Sequence, residues 1–269
     1  TNNLVWHGNL SIIDHSVMYK VKATDANVLE IIGKGIDPSE NEIVINMKWN
    51  WIGYTPNSAM SVADALSNMN PVSGDMIKNR DEFALFDGYE WTGSLTSMRP
   101  GMGYIYMSND PQTKTFTYPS VSKSDNVRDE SSPVYPWAGE YQNNMNVIAI
   151  VKNGDDVVEN AVIEVFAADA IRGMSEQSIV DDKHFLTIYG DTSADSLGFN
   201  VTVDGYVYET GNMLCFAEDA VFGSLENPYV IQIGDYKSDG ENVINVYPTL
   251  MRDILNISSS ELINMVTIY

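Results

Sequence analysis

One stretch of this sequence occurs twice, and the repeat constrains the fold more than any other feature. Four residues recur at a constant separation of 85 positions, so the two copies align without insertions or deletions. The matched pairs are Trp6 and Trp91, Gly8 and Gly93, Leu10 and Leu95, and Tyr19 and Tyr104. An ungapped register of this kind predicts two copies of one folded module. The first copy has no counterpart to "WNWIGYTP" (49–56), so we expect the chain to enter a partial module over 1–48 and to continue into a fuller one over 49–119.

Most of the remaining chain consists of short segments rich in β-branched and aromatic residues, which are typical of strands. Turn signals such as "NGDD" and "DG" separate these segments. The predicted strands span 17–23, 42–47, 103–108, 115–118, 146–151, 161–167, 185–190, 197–203 and 229–234. The sequence therefore predicts a mainly β fold.

The segment "SVADALSNMN" (61–70) departs from this pattern and predicts one short helix. Ser61 is followed three residues later by Asp64, which makes a weak capping box. Four apolar residues then fall on one helical face. They are Val62, Ala65, Leu66 and Met69.

A polar stretch over 120–139 predicts a linker between domains. It contains Pro133 and Pro136 and few apolar residues. We therefore expect a second domain over 140–236 and a further segment over 243–269.

The fuller copy resembles a module found in secreted and surface proteins of bacteria. In that family a "GWN-(L/W)-I-(S/G)-Y-P" strand precedes a short helix, and a "W-x-G-S-L" strand pair ending in "P-G-x-G-Y" follows. The matching residues here are Trp49, Asn50, Trp51, Ile52 and Gly53, then 61–66, then Trp91, Gly93, Ser94, Leu95, Pro100, Gly101, Gly103 and Tyr104. The resemblance covers about 60 residues. It implies an exported location and an accessory, non-catalytic role.

Residues 140–236 are more loosely similar to an immunoglobulin-like module of the same proteins. The similarity lies in "NMNVIAIV" and in "VFAADAIRG", where a strand precedes a charged turn. It implies a β-sandwich after the repeat modules, and a structural position for Arg172 in a turn or at a strand edge.

The last segment, 243–269, resembles the start of the C-terminal sorting domain of type IX secretion cargo. That family begins with "V-Y-P-N-P" and continues with "D-x-L-x-I" and "I-x-x-V-x-I-Y". The matching residues are Val246, Tyr247, Pro248, Asp253, Leu255, Ile257, Ile263, Val266, Ile268 and Tyr269. Thr249 and Leu250 replace the usual "N-P", and we interpret the segment as truncated. The resemblance implies an extracellular or outer-membrane surface location.

The charge of the chain disfavours several classes of partner. The formal net charge is −22, from 37 acidic and 15 basic residues. Such a chain repels the phosphates of nucleic acids and anionic lipid surfaces. No apolar run approaches the ~20 residues of a membrane-spanning helix, so we expect neither nucleic-acid binding nor membrane insertion.

The sequence shows no catalytic signature. It contains no G-x-S-x-G, P-loop or G-x-G-x-x-G pattern. His7, His15 and His184 lie outside known metal-site spacings, and we interpret them as exposed residues of strands and loops. The single cysteine, Cys215, is expected to pack as a small apolar residue. We therefore predict that the chain is not an enzyme.

Calcium is the one ion that we keep as a candidate; no other cofactor is expected. The segment "DYKSDGEN" offers Asp235, Asp239 and Glu241 as oxygen ligands, which hard cations require. The spacing does not follow the EF-hand rule.

The aromatic residues of the modules allow two interpretations. Trp49, Trp51 and Tyr54 could stack on sugar rings, and Trp137 in the linker is a candidate for an exposed or interdomain aromatic. The alternative is that these rings fill small β cores. The recurrence of Trp at matching positions favours the core, and it predicts a buried Trp91.

We therefore expect a non-catalytic accessory region of an exported bacterial surface protein, for adhesion, ligand presentation or spacing, with a glycan or a host or surface protein as partner. One alternative is a carbohydrate-binding module of a secreted glycan-degrading enzyme. A second is a hydrolase in its own right, which would require convergent acids in a cleft.

Overall fold

The computed structural model describes residues 10, 12–21, 28, 34–120, 135–175, 179–193, 195–234, 244–247 and 256–259. Antiparallel strands dominate this part of the chain, and one α-helix accompanies them. The predicted mainly β fold is therefore confirmed. Parts of three predicted segments lie outside the described residues: Trp6, His7 and Gly8 of the first copy, the stretch 121–134 of the predicted linker, and most of 243–269.

The strands of the repeat region are short. They are β1 (Ile43–Ile45), β2 (Lys48–Gly53), β3 (Met60–Ser61), β4 (Met76–Lys78), β5 (Phe83–Phe86), β6 (Trp91–Gly93), β7 (Ser97–Met98), β8 (Gly103–Ser108) and β9 (Lys114–Phe116). Antiparallel pairs join β1 to β9 and β3 to β7, and a five-stranded sheet has the order β2-β8-β4-β5-β6.

The strands that follow are longer. They are β10 (Asn143–Asn153), β11 (Asp156–Val157), β12 (Val162–Ala167), β13 (Ala170–Met174), β14 (Ile179–Val180), β15 (Lys183–Gly190), β16 (Ser196–Val203), β17 (Tyr206–Cys215), β18 (Val221–Phe222), β19 (Tyr229–Ile233), β20 (Ile244–Tyr247) and β21 (Asn256–Ser259). One sheet has the order β11-β10-β15-β14, with β18 and β19 also paired to β10. A second sheet has the order β13-β12-β16-β17, and β20 pairs with β21.

The chain divides into two compact units. The first comprises Thr1–Asn79, Phe86–Trp91 and Leu95–Asp129, and the second comprises Arg80–Leu85, Thr92–Ser94 and Glu130–Tyr269. The buried apolar side chains of the first unit include Ile43, Ile45, Ile52, Tyr54, Leu66, Met69, Met76, Ile77, Leu95, Met98, Tyr104, Tyr106, Phe116 and Tyr118. Aromatic rings therefore share this core with Ile, Leu and Met side chains.

The second unit contains a core of the β-sandwich type. Alternate residues of β10, β12, β15 and β16 point into it, as the two-residue period of a strand requires. The buried members of the cluster include Met145, Val147, Val151, Ile163, Val165, Leu186, Ile188, Leu197, Phe199, Val201, Phe216 and Ile231. Sheet pairing and apolar burial thus supply the main stabilisation of this unit.

The predicted helix is confirmed and spans Val62–Ala65 (α1). Ser61 caps it, because its hydroxyl accepts a hydrogen bond from the amide of Asp64 at 3.0 Å. The four residues of the predicted apolar face are all buried. The helix is shorter than the apolar pattern, which continues through Leu66 and Met69 in a turn.

The structure confirms the predicted position of Arg172 and contradicts four other predictions. Trp91 was predicted to be buried and is only half-buried, because its strand β6 lies at the end of its sheet. Arg172 lies in β13, at the edge of its sheet. The predicted strand 17–23 is wrong for residues 17–21, because no strand in the described part of the chain includes or pairs with them. Cys215 is exposed, since it ends the outermost strand of its sheet. His184 is buried in β15, whose two faces are both covered.

No helix in the described ranges is long and apolar enough to cross a membrane.

Candidate functional site

Strand β2 places Trp49 and Trp51 on one face of its sheet. Asn50 and Ile52 alternate with them and are buried on the other face. The side chain of Asn50 also fixes the preceding turn: it accepts from the amide of Asn46 at 2.8 Å and donates to the Asn46 carbonyl at 2.8 Å. These hydrogen bonds hold the turn that leads into β2, and the two-residue period of the strand places both indoles on the same side.

Trp49 contributes to the packing of this face. It is half-buried, and the ammonium of Lys78 lies 5.1 Å from its ring centroid. Lys78 is itself fully buried, so the cation is shielded from water and its attraction to the ring is strengthened. Trp49 is thus tied to a structural partner.

Trp51 is the more accessible of the two indoles. It is 43% exposed and lies on β2, the strand at the end of the five-stranded sheet. The ammonium of the exposed Lys20 lies 5.5 Å from its ring centroid. An exposed ring beside a cation can stack on the apolar face of a ligand while the ammonium donates to hydroxyl or carboxylate oxygens.

Two facing glycines hold the segment that carries Lys20. Gly53 pairs with Gly103 across β2 and β8, and the amide of Gly53 donates to the Ser16 carbonyl at 2.9 Å. A Cβ on Gly53 would lie 2.2 Å from the carbonyl oxygen of His15, and one on Gly103 would lie 2.0 Å from Cγ of Met18. Glycine at both positions therefore permits the close approach of this segment to the sheet.

Tyr54 lies apart from this surface, in the core of the first unit. Its hydroxyl donates to the Ser58 carbonyl at 2.8 Å, and its ring packs edge-on against Tyr104 and Tyr118. Burial raises the pKa of the Tyr54 hydroxyl well above its usual range. The structure thus brings Trp49 and Trp51 together and assigns Tyr54 to packing.

Trp137 belongs to the second unit. It lies in a short 3₁₀ helix, Pro136–Glu140, and is half-buried. Its ring stacks on Tyr135 with centroids 4.9 Å apart and meets Tyr189 edge-on at 5.7 Å. Trp137 is therefore a member of an aromatic cluster in that unit.

The candidate calcium ligands Asp235, Asp239 and Glu241 lie outside the described residues. Within the described ranges, no group of three or more His, Cys, Asp or Glu side chains is arranged to hold a metal ion.

The structure adds a buried acid that the sequence patterns did not single out. Asp75 is fully buried, and it accepts hydrogen bonds from the Tyr106 hydroxyl at 2.5 Å and the Asn109 amide at 2.7 Å. The Val72 amide donates to it at 3.1 Å, and the ammonium of Lys114 lies 3.6 Å away. The one available signal was a lone acid directly before the apolar segment "MIK".

A second buried ionisable group, His184, contacts one hydroxyl. Its Nδ1 lies 3.0 Å from Oγ of Ser175, and that oxygen also accepts from the Ile163 amide at 2.9 Å. Burial lowers the pKa of His184 to about 4, so the neutral imidazole is the stable form near pH 7. His184 of β15 is therefore a neutral residue whose partner, Ser175, also binds Ile163 of β12.

The chain matches no protein-family profile, no curated protein and no solved structure.

Proposed function

We propose that this chain is a non-catalytic accessory region of an exported bacterial surface protein, with a role in adhesion, ligand presentation or spacing. The observation that carries the non-catalytic part of the proposal is that the buried ionisable side chains have structural partners; the exported location rests on the sequence resemblance. Asp75 and His184 are both held by intramolecular partners in the interior of their units. Groups engaged in this way stabilise the fold and are withheld from substrate.

Asp75 illustrates the point. A general acid or base must come within hydrogen-bond distance of a substrate atom, directly or through one water. The side chain of Asp75 has no solvent exposure, and it is surrounded by donors from Val72, Tyr106, Asn109 and Lys114. A substrate would have to displace these donors before it could reach the carboxyl group.

The surface around Trp51 supports a contact function. Trp51 lies on β2, the strand at the end of a sheet, and exposes an indole beside the ammonium of Lys20. Tryptophan is enriched among the residues that contribute most to binding at protein contact surfaces. The surface therefore favours ligand contact over a spacing role alone.

A carbohydrate-binding module is the second candidate, and the exposed ring of Trp51 is the observation that favours it. Sugar rings present C–H groups that pack on an indole face. The acidic composition of the chain, with a net charge of −22, favours neutral glycans over anionic ones, because anionic glycans would be repelled.

A glycan and polysaccharide array with the purified chain tests both candidates. The array is read with and without calcium, and each bound glycan is then incubated with the chain and analysed for cleavage products. We expect no cleavage. Turnover of a bound glycan would contradict the non-catalytic proposal.

A matched pair of variants separates the two candidates. Trp51→Ala removes the ring beside Lys20, whereas Tyr89→Ala removes the ring of a tyrosine that is almost wholly exposed. Glycan binding that is lost in Trp51→Ala and retained in Tyr89→Ala supports the carbohydrate-binding module. A blank array from a folded chain leaves adhesion to a protein or a spacing role.

A further inference from the structure

The sheet β13-β12-β16-β17 of the second unit has one face in the core and one face outside it. The side chains of Val165 on β12 and Phe199 on β16 lie in the core cluster. Successive residues of a strand point to opposite faces, so the residues next to them along each strand point outwards. Directly opposed residues of antiparallel strands lie on the same face. The pairing register therefore defines rows of outward side chains that cross β12, β16 and β17.

One of these rows, the apolar row, carries an aromatic ring that lies over a glycine. Phe166 of β12 opposes Gly198 of β16, and Gly198 opposes Met213 of β17. A Cβ on Gly198 would lie 2.5, 2.7 and 3.2 Å from Cζ, Cε2 and Cε1 of Phe166. These similar distances indicate that the ring covers the glycine with its face and leans over β16. Phe166 is partly exposed and Met213 is 64% exposed, so the apolar row is accessible from outside.

The neighbouring row, the polar row, carries an amide between two carboxyl groups. Glu164 opposes Asn200, and Asn200 opposes Glu209. Oδ1 of Asn200 is buried and accepts no hydrogen bond from the described part of the chain. Burial raises the pKa of Glu164, so this carboxyl group lies in surroundings where a hydrogen bond is stronger than in water. The polar row therefore holds hydrogen-bonding capacity that the fold does not use.

The two rows suit the two kinds of surface that a sugar ring presents. The C–H face of a pyranose packs on an aromatic ring, and the hydroxyls at its rim both donate and accept hydrogen bonds. Asn200 as a whole is only half-buried and its χ2 torsion is soft, so Oδ1 can turn towards a hydroxyl of a ligand. The two rows contain two acids and no base, which favours a neutral sugar over an anionic one.

We propose that the apolar and polar rows together, the outer-sheet site, bind a chain of neutral β-linked pyranoses. Equatorial hydroxyls leave the faces of such rings apolar, so one ring stacks on Phe166 while its rim hydroxyls bond to Asn200 and Glu164. The site belongs to the second unit and does not use Trp51, which belongs to the first. It therefore goes beyond the glycan contact proposed above.

Calorimetric titration of the full chain tests the outer-sheet site. The probes are hexasaccharides of β-1,4-linked glucose, mannose, xylose and N-acetylglucosamine, of which at least one is expected to bind. Phe166→Leu keeps an apolar side chain but removes the flat ring, and it should weaken binding of that hexasaccharide about two- to tenfold. Asn200→Leu removes the acceptor and should weaken binding about two- to tenfold. Thr202→Val is the matched control, because Thr202 lies on the same strand and face one row further, and it should leave the Kd unchanged.

Urea unfolding of Asn200→Leu separates ligand contact from packing. A buried acceptor without a partner costs stability, so its removal should leave the urea midpoint unchanged or raise it while the affinity falls. A role of Asn200 in packing alone would lower the midpoint.

Four results would overturn the proposal. The first is the absence of binding to all four neutral hexasaccharides, including the case in which only a β-1,4-linked glucosamine hexasaccharide binds, since the carboxylates would then hold an amine. The second is an unchanged Kd in both Phe166→Leu and Asn200→Leu. The third is a lowered midpoint in Asn200→Leu. The fourth is binding that is lost in Trp51→Ala and retained in Phe166→Leu, because the glycan then binds at Trp51 and the function proposed above stands without this site.

Discussion

The hydroxyl of Tyr106 donates a 2.5 Å hydrogen bond to Oδ2 of Asp75, and both side chains are fully buried. Burial and this bond together raise the pKa of the Tyr106 hydroxyl well above its usual range, so the phenol remains protonated. Tyr106→Phe leaves the carboxyl group without its shortest donor. We expect the free energy of unfolding to fall by about 1.5–3 kcal/mol, the range for hydrogen bonds to charged groups.

Urea unfolding measures this loss, and Tyr89→Phe is the control. Tyr89 is almost wholly exposed, so the same chemical change there should leave the midpoint unaltered. Equal midpoints for Tyr106→Phe and the unmodified chain would show that the interaction between Tyr106 and Asp75 contributes nothing to stability.

Strand prediction from the sequence succeeded where a partner strand is available. The segments predicted at 103–108 and 197–203 coincide with or lie within β8 and β16. The prediction at 17–23 failed for residues 17–21, although their composition is equally typical of a strand. Composition reports local preference, whereas a strand also requires hydrogen bonds from a neighbour, and the sequence pattern cannot supply those.

Burial of polar residues was the least predictable feature. His184 was expected to be exposed, yet both faces of β15 are covered and Ser175 supplies a polar partner. Asp75 lies in the interior because amides, a phenol and an ammonium from distant positions converge on it. Such convergence depends on tertiary packing, so a single sequence gives little warning of it.

Substitution of the two indoles of β2 should separate packing from ligand contact. Trp49 is half-buried against the buried Lys78, so Trp49→Ala should lower the free energy of unfolding by about 2 kcal/mol. Trp51 is the more exposed of the two, so Trp51→Ala should cost about 1 kcal/mol or less. Thermal unfolding of both variants measures the difference. A larger loss in Trp51→Ala than in Trp49→Ala would reverse these roles.

The stability of the chain should decrease on mild acidification because of His184. Burial lowers the pKa of this imidazole from its ordinary value of 6.5 to about 4. The unfolded chain therefore binds the proton near pH 6.5, whereas the folded chain binds it only near pH 4. The contribution of His184 to the free energy of unfolding is fully present above pH 6.5. It is lost as the pH falls towards 4, and the total loss is about 3 kcal/mol.

Urea midpoints between pH 7 and pH 4 reveal this contribution by comparison with His184→Gln. Glutamine does not titrate, so the variant should lose less stability over this interval than the unmodified chain. His15→Gln, the same substitution at an exposed position, is the control for the general effect of replacing a histidine. Parallel pH profiles for the unmodified chain and His184→Gln would exclude the imidazole as the source.

Gly53→Ala should detach the segment that carries Lys20 from the sheet. The new Cβ would lie 2.2 Å from the carbonyl oxygen of His15, which belongs to the backbone and cannot turn aside as a flexible side chain can. The segment must therefore shift, at a cost of about 1–3 kcal/mol. Trypsin should then cleave the folded chain after Lys20 several times faster, because the released backbone fits a protease more readily.

Gly35→Ala is the matched control, since a Cβ there meets no atom within 4 Å and cleavage should proceed at the original rate. Unchanged cleavage in Gly53→Ala would mean that the segment is held by contacts other than the close approach at Gly53.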